Sequence, residues 1–433
     1  METISALIDF HLNEKSSPTR IWRVSATSIS GRGLFAVRDI QPGEIIFREK
    51  PLLIGPTAGK DSSLNICSVC YRPCENNECV CPRGCSLPVC ELCLDSKQHL
   101  LECNLYKSWQ PAHPQKVMRA NLRALVWIRG LLLNETQKHL VNVLQANVDP
   151  AYQREMLAAA SNFHNFPSAA SATYEFLFKV VCVLNTNAFE ALQQNENAEI
   201  SLRGLYPLSG IMNHECTPNT CHYFEPGNVM VVKSAKFIPQ GTEITTTYTK
   251  ILWSNLSRRV FLNMTKQFVC SCSRCLDPTE NGSYISALLC RKNDCLGWII
   301  PQDGNVLLSD WRCIKCGTIY DSKHISRAQD FTLRIFNGKT SSGSVKDILD
   351  FIREKAARIC PPTSQFIIEL KLHAIWKMTK TNEKFSDLDI KDAIQYCKDI
   401  LFVLDKLHAG ECILKSLLED EIRKFSGLLL TPK

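Results

Sequence analysis

Twenty-two cysteines stand in this 433-residue chain, and most fall in groups whose spacing suits a tetrahedral metal ion. The densest run, CSVCYRPCENNECVCPRGCSLPVCELCLDSKQHLLEC, extends from Cys67 to Cys103. Cys67/Cys70 and Cys90/Cys93 are C-x2-C pairs, and Cys81/Cys85 is a looser C-x3-C pair. His99 precedes Cys103 by one helical turn, the spacing of two ligands on one helix face. Eight ligands make two tetrahedral sites. Cys74 and Cys79 are left over, and Cys79 is an alternative to Cys81. So short a run has too little apolar mass to fold unaided, so metal must supply much of its stability.

Two further groups follow. Cys270, Cys272 and Cys275 in FVCSCSRCLDP leave a tetrahedral zinc one ligand short, and the isolated Cys216 in GIMNHECTPNTC is the natural fourth. The bland alternative for Cys216 is a buried core cysteine. Cys290, Cys295, Cys313 and Cys316 read as a site of four cysteines. Together these predict four zinc ions per chain, leaving Cys74, Cys79, Cys182, Cys221, Cys360, Cys397 and Cys412 structural or idle.

The rest of the composition agrees with metal rather than disulfides. The first residues, METISALIDFHLNEK, lack the basic flank and apolar run of an export signal, and disulfide-dense chains are usually short and exported. No stretch approaches the roughly 20 apolar residues that span a bilayer. We expect a soluble, monomeric protein of the cytoplasm and nucleus, with no membrane partner. A four-thiolate zinc site carries about −2 and a site of three thiolates and a histidine about −1. Four such sites would offset the formal charge of +7. The Cys67–Cys103 run sets Arg72, Arg83 and Lys97 against Glu75, Glu78, Glu91, Asp95 and Glu102, so direct nucleic-acid binding is not expected there.

The elements that must position these ligands are mixed. Residues 21–27 and 44–49 read as strands around a Pro42-Gly43 turn signal. Apolar residues recur at helical spacing from Pro114 to Ala146, and Tyr174 to Leu184 reads as a helix or buried apolar segment, with Asn187 as a cap. Strand character returns in NVMVVKSAKFIPQGTEITTTY, where Thr245–Thr247 are β-formers and Tyr248 ends the run. Beyond Arg327 the cysteine groups cease. Ser344 with Asp347, and Ser386 with Asp389, predict capping boxes in a tail of about five helices arranged as hairpins.

Four motifs, GRGLFA, NHECTPN, GTEITTTY and FVCSCSRCLDP, occur in the order of a SET domain. The cysteine run inside it resembles a MYND zinc finger. The chain therefore resembles the SET-and-MYND (SMYD) family, and the Cys290–Cys316 extension is similar to its arthropod-specific SmydA-like branch. The resemblance implies an α+β multidomain fold. A β-rich SET core, residues 1–65 and 199–262, would be split by a finger at 66–104 and a helical insert at 112–198. A zinc-binding post-SET region at 263–322 and a helical C-terminal domain at 323–433 would follow. The finger's interleaved pairing implies Cys67, Cys70, Cys90 and Cys93 for one zinc, and Cys81, Cys85, His99 and Cys103 for the other.

The same resemblance implies protein-lysine methylation from S-adenosylmethionine, on histone or non-histone substrates. It carries Gly31, Arg32, Gly33, Asn187, Asn213, His214, Tyr248 and Phe268 onto cofactor positions, and Tyr248 onto the catalytic tyrosine. Methyl transfer needs a neutral amine, an in-line approach and exclusion of water. A tyrosine hydroxyl can orient the reacting groups but, with an ordinary pKa of about 10, is not a free base. An aromatic face such as Phe268 can favour a cationic sulfonium or ammonium. Two departures stand out: Gly210 where many relatives carry serine, and Lys266 where active relatives often offer a second tyrosine. The alternative reading is a weak or inactive scaffold in transcriptional regulation, whose finger docks proline-containing peptides and needs nothing from Tyr248.

Overall fold

The computed structural model describes residues 2–13, 20–27, 30–57, 66–74, 79–114, 116, 119–195, 198–292, 295–306, 308–381 and 383–430. Glu75 and Glu78 lie outside the described residues. Two compact units are present. One comprises Met1–Arg38, Ile45–Met212 and His222–Val232, the other Asp39–Glu44, Asn213–Cys221 and Lys233–Lys433.

In the first unit, Trp22–Thr27 pairs antiparallel with Gly31–Ala36, in register from Trp22 opposite Ala36 to Thr27 opposite Gly31. Gly31 has φ +74°, a left-handed conformation that glycine adopts without a Cβ penalty. A second antiparallel sheet runs in the order Leu53–Pro56, Ala198–Leu205, Phe189–Asn195. The helical pattern expected over 114–146 resolves into two helices, Arg119–Ile128 and Glu135–Val143. Asn134 divides them. Its Oδ1 accepts from the Gln137 amide at 2.9 Å while Gln137 Oε1 accepts from the Asn134 amide at 3.1 Å, a reciprocal cap that starts a new helix. The helix expected at 174–184 extends over Ala172–Asn187, beginning at a Ser171 cap.

The finger belongs to this unit. Its helix Lys97–Ser108 starts at Ser96, whose Oγ accepts from the His99 amide, and it buries His99, Glu102, Cys103 and Tyr106. Positions three and four apart lie on one helix face, so the ligand spacing of the sequence becomes a buried stripe. The buried Arg129 guanidinium ties the finger down. It donates to Glu102 Oε1 at 2.7 Å, the Tyr71 hydroxyl at 2.6 Å, the Ser68 carbonyl at 2.7 Å and the Ile54 carbonyl.

In the second unit, the expected strand through Tyr248 is shorter than its residues suggest, with only Glu243–Ile244 regular. The backbone of Thr246 is instead taken up by the neighbouring loop: its N–H donates to the Asn213 carbonyl at 3.0 Å and its carbonyl accepts from Glu215 at 2.9 Å. The helix Asn255–Lys266 follows, capped by Ser254. A four-stranded antiparallel ribbon, Leu288–Leu289, Trp298–Pro301, Trp311–Cys313 and Ile319–Tyr320, holds the last cysteine group. The tail is helical over Ser322–Ser342, Val345–Glu354, Gln365–Lys380, Asp387–Lys406 and Ile413–Leu430. Both expected capping boxes are formed, at Ser344/Asp347 and Ser386/Asp389. These helices share one apolar core that includes Ile348, Ile368, Ile375, Ile400 and Leu404.

Candidate metal centres and active site

Among the described residues, four groups of side chains bring their ligand atoms within 4.8 Å of one another: Cys67, Cys70, Cys90 and Cys93; Cys81, Cys85, His99 and Cys103; Cys216, Cys270, Cys272 and Cys275; and Cys290, Cys295, Cys313 and Cys316. The second group contains Cys81 rather than Cys79. Sulfurs about 2.3 Å from a tetrahedral zinc lie about 3.8 Å apart along the tetrahedron's edge, whereas a disulfide needs about 2.0 Å. The separations here are 3.8 Å for Cys70–Cys90, 3.9 Å for Cys81–Cys103, 3.5 Å for Cys216–Cys275, 3.7 Å for Cys290–Cys316 and 3.8 Å for Cys295–Cys313. All the cysteines are unbridged. The donor sets fit a tetrahedral, thiophilic ion. His99 joins its group through Nε2, 3.3 Å from Cys81 Sγ.

The Cys216 group sits in an unusually charged interior. Arg258, Arg274 and Glu280 are each no more than 1 % exposed. Arg258 donates through Nε to Cys216 Sγ at 3.1 Å, through Nη2 to Cys275 Sγ at 3.4 Å and through Nη1 to Glu280 Oε2 at 2.5 Å. Arg274 donates to the same carboxylate oxygen at 3.1 Å and to the carbonyls of Cys216, Ile251 and Trp253. Burial pushes the Glu280 carboxyl up, but the two guanidiniums and the Ser286 hydroxyl outweigh it and hold it below its ordinary value. Buried charges persist only when paired, and two cations against one carboxylate leave an excess of one positive charge that four metal-bound thiolates, net about −2, would more than offset. The sequence reading missed all three residues. The one local signal was Arg274, a charge set between the ligands Cys272 and Cys275.

Beside that centre stand three expected cofactor residues. The ring centroids of His214 and Tyr248 are 5.3 Å apart, and those of His214 and Phe268 6.0 Å. His214 Nε2 lies 3.2 Å from Cys216 Sγ, and His214 Nδ1 accepts from the Tyr248 amide at 3.0 Å. Burial lowers the His214 imidazole to about 4, so the ring is neutral. Burial, with the nearby Glu243 charge, raises the Tyr248 phenol to about 12. Tyr248 is therefore a neutral hydrogen-bonding group, able to orient but not to abstract a proton. Asn213 donates to Glu243 Oε1 at 2.6 Å, so its amide is held from within its own unit.

The remaining expected residues lie in the first unit. Gly31 opens a strand with nothing within 4 Å of where a Cβ would stand, and Gly33 continues it opposite Ser25. Arg32 Nη1 donates to the Val143 carbonyl at 2.8 Å, and Asn187 Nδ2 donates to the Gln145 carbonyl at 2.7 Å. Both side chains thus converge on the Val143–Gln145 segment. Asn187 is not an N-cap; it is the last residue of its helix and donates back to the Val183 carbonyl at 2.8 Å. A Cβ at Gly210 would meet Asn187 Cβ at 3.5 Å, ordinary contact, so the glycine is not a packing requirement.

The chain is similar to known proteins. A family profile described as the SET domain matches residues 31–249. The chain is 45 % identical to the SET domain-containing protein SmydA-8, isoform A, of Drosophila melanogaster, over 98 % of this chain and 92 % of that one. It is 24 % identical to the histone-lysine N-methyltransferase ASHR1 of Arabidopsis thaliana, over 89 % of this chain and 82 % of that one. The crystal structure of the SET domain of LSMT bound to methyllysine and AdoHcy overlays with a TM-score of 0.38 at 10 % identity, covering 98 % of this chain and 93 % of that one.

Proposed function

Because this chain belongs to the SET domain family, in its SmydA branch, we propose that it transfers a methyl group from S-adenosylmethionine to the side-chain amine of a protein lysine. The observation that carries the reading is Tyr248, a neutral phenol held through its backbone beside His214 and the Cys216 centre. S-adenosylmethionine, when bound, supplies an electrophilic methyl on a sulfonium that leaves as a neutral thioether. The chain's part is to hold and orient. Gly31, Arg32, Gly33, Asn187, Asn213, His214, Tyr248 and Phe268 are the residues we assign to the cofactor. The Tyr248 hydroxyl aligns the reacting groups, and Phe268 offers a π-face to a cation. The lysine amine must arrive neutral and gives up its proton to solvent after the N–C bond forms. We further assign one zinc to each of the four ligand groups, as structural ions that fix the loops carrying these residues.

The test is a titration of zinc-loaded protein with S-adenosylmethionine, paired with transfer of labelled methyl to a protein extract. Wild type should bind and transfer. Asn213→Ala should weaken binding by about 10- to 150-fold, the effect of one buried or charge-assisted hydrogen bond. Tyr248→Phe should retain the cofactor and lose about 100-fold in turnover. Binding without any transfer would leave the docking reading. That second reading is favoured by a groove of about 440 Å³ beside the finger helix, walled by Leu52, Leu101, Leu132 and Leu133. Its aliphatic walls suit a proline-containing peptide in extended form.

A further inference from the structure

His214 uses both ring nitrogens inside the protein. The Tyr248 backbone amide, 3.0 Å from Nδ1, can only donate, so Nδ1 accepts and the proton of the neutral ring sits on Nε2. Nε2 is 3.2 Å from Cys216 Sγ, so that proton points at the sulfur. A ring whose Nε2 ligated the metal would carry its proton on Nδ1, setting two donors against each other at Tyr248. The same bond therefore excludes His214 as a ligand. Cys216 Sγ receives a second N–H from Arg258 Nε at 3.1 Å, and a thiolate with two such donors is fixed in direction. The backbone runs alongside: Glu215 and Thr246 are joined N–H to carbonyl at 2.9 Å, and Thr246 to Asn213 at 3.0 Å.

We propose that the His214 imidazole is a positioning residue that couples the Cys216 metal centre to Tyr248, donating to the metal-bound sulfur with one nitrogen and holding the tyrosine's backbone with the other. Metal occupancy sets the position of Cys216 Sγ, the sulfur sets the ring, and the ring sets the amide from which the Tyr248 side chain projects. A ring so engaged has no nitrogen for the cofactor, so any cofactor contact by His214 falls on its face or its backbone. This inference rests on the zinc assignment and on the role given to Tyr248 above. It makes a distinction those readings do not, between the two halves of one side chain.

Two substitutions separate the halves. In His214→Asn the side-chain oxygen stands where Nδ1 was and can still accept from Tyr248, while nothing reaches Cys216. In His214→Gln the amide N–H reaches toward Cys216, while the acceptor for Tyr248 is gone. The full chain is loaded with cadmium in place of zinc and labelled with fluorotyrosine. The Cys216-centre resonance is assigned by Cys216→Ser and the Tyr248 resonance by Tyr248→Phe. His214→Asn should shift the cadmium resonance and leave the Tyr248 resonance in place; His214→Gln should do the reverse. In methyl transfer, His214→Gln should lower kcat by about 10- to 100-fold with little change in the substrate KM, as misorientation does. The proposal is overturned if the two variants move the same resonance, if neither moves either, or if His214→Gln loses the cadmium signal. The two resonances need no methyl transfer, so an inactive wild type would overturn the enzymatic reading and leave the coupling intact.

Discussion

The Lys266 ammonium lies over the ring of Tyr248, 5.6 Å from its centre. An ammonium at this distance from an aromatic face is held by the ring's quadrupole. It also places a fixed positive charge next to the residue assigned to a reaction between a sulfonium and a lysine. Lys266→Tyr and Lys266→Met should therefore both raise a weak methyl-transfer rate, the tyrosine more because it restores a second aromatic wall. Labelled-methyl transfer checks this, and rates at or below wild type in both variants would contradict it.

Arg258 reaches two ligand sulfurs and a buried carboxylate with three different nitrogens. Only a planar fork can do that, so Arg258→Lys should not substitute. Loss of the guanidinium takes a charge-assisted N–H from each of two ligand sulfurs, at about 1.5–3 kcal/mol apiece, while Glu280 keeps Arg274 as its partner. Arg258→Met and Arg258→Lys should both lower the thermal midpoint and reduce zinc by about one ion per chain. Full zinc content in both would show that the guanidinium does not support the metal centre.

The four centres should release metal in an order set by their burial. All ligands of the Cys81 group are buried, whereas the Cys290 group includes the exposed Cys316. A chelator should take the ion of the Cys290 group first and that of the Cys81 group last, out of about four zinc in all. Mass spectrometry of alkylated cysteines over time reads the order, and early modification of Cys81, Cys85 and Cys103 would refute it.

Arg129 joins the finger residues Ser68, Tyr71 and Glu102 to the strand residue Ile54. Arg129→Ala leaves Glu102 buried without its cation, so proteolytic cleavage within residues 67–103 should accelerate. Glu102→Gln keeps a hydrogen-bonding oxygen and should have the smaller effect. Equal cleavage rates in wild type and Arg129→Ala would show that the finger does not depend on this anchor.

The pH profile should belong to the substrate. Tyr248, raised to about 12 by burial and Glu243, stays neutral through pH 10, whereas a lysine amine loses its proton near pH 10.4. Turnover should therefore rise with pH between about 7 and 10. Tyr248→Phe should keep that slope at a lower level. A profile that flattens in the variant would mean that Tyr248 itself is the titrating group.

Within Cys67–Cys103 the combination of pairs was implied by the resemblance to a MYND finger, with Cys79 open beside Cys81 until the fold brought Cys81 to Cys85, His99 and Cys103. What the fixed short spacings of the C-x2-C pairs and the His99–Cys103 turn marked by themselves were the ligands. The capping boxes of the tail were legible for the same reason, since Ser344 and Asp347, or Ser386 and Asp389, meet whenever a helix starts between them. Other features depend on residues distant in the chain. Phe189–Asn195 carries glutamate, alanine, leucine and glutamine, all sound helix formers, yet pairs as a strand with Ala198–Leu205, because sheet residence is decided by neighbours more than by intrinsic preference. Thr245–Thr247 is rich in β-formers and is not a regular strand, because the loop at 213–219 claims its hydrogen bonds. Above all, the sequence names Cys216, His214 and Tyr248 but not their order of contact. Only folding brought Arg258 and Glu280 beneath the sulfurs and turned the imidazole so that one nitrogen faces Cys216 and the other the Tyr248 amide. A hydrogen bond's direction is a property of three-dimensional approach, and no spacing along the chain encodes it.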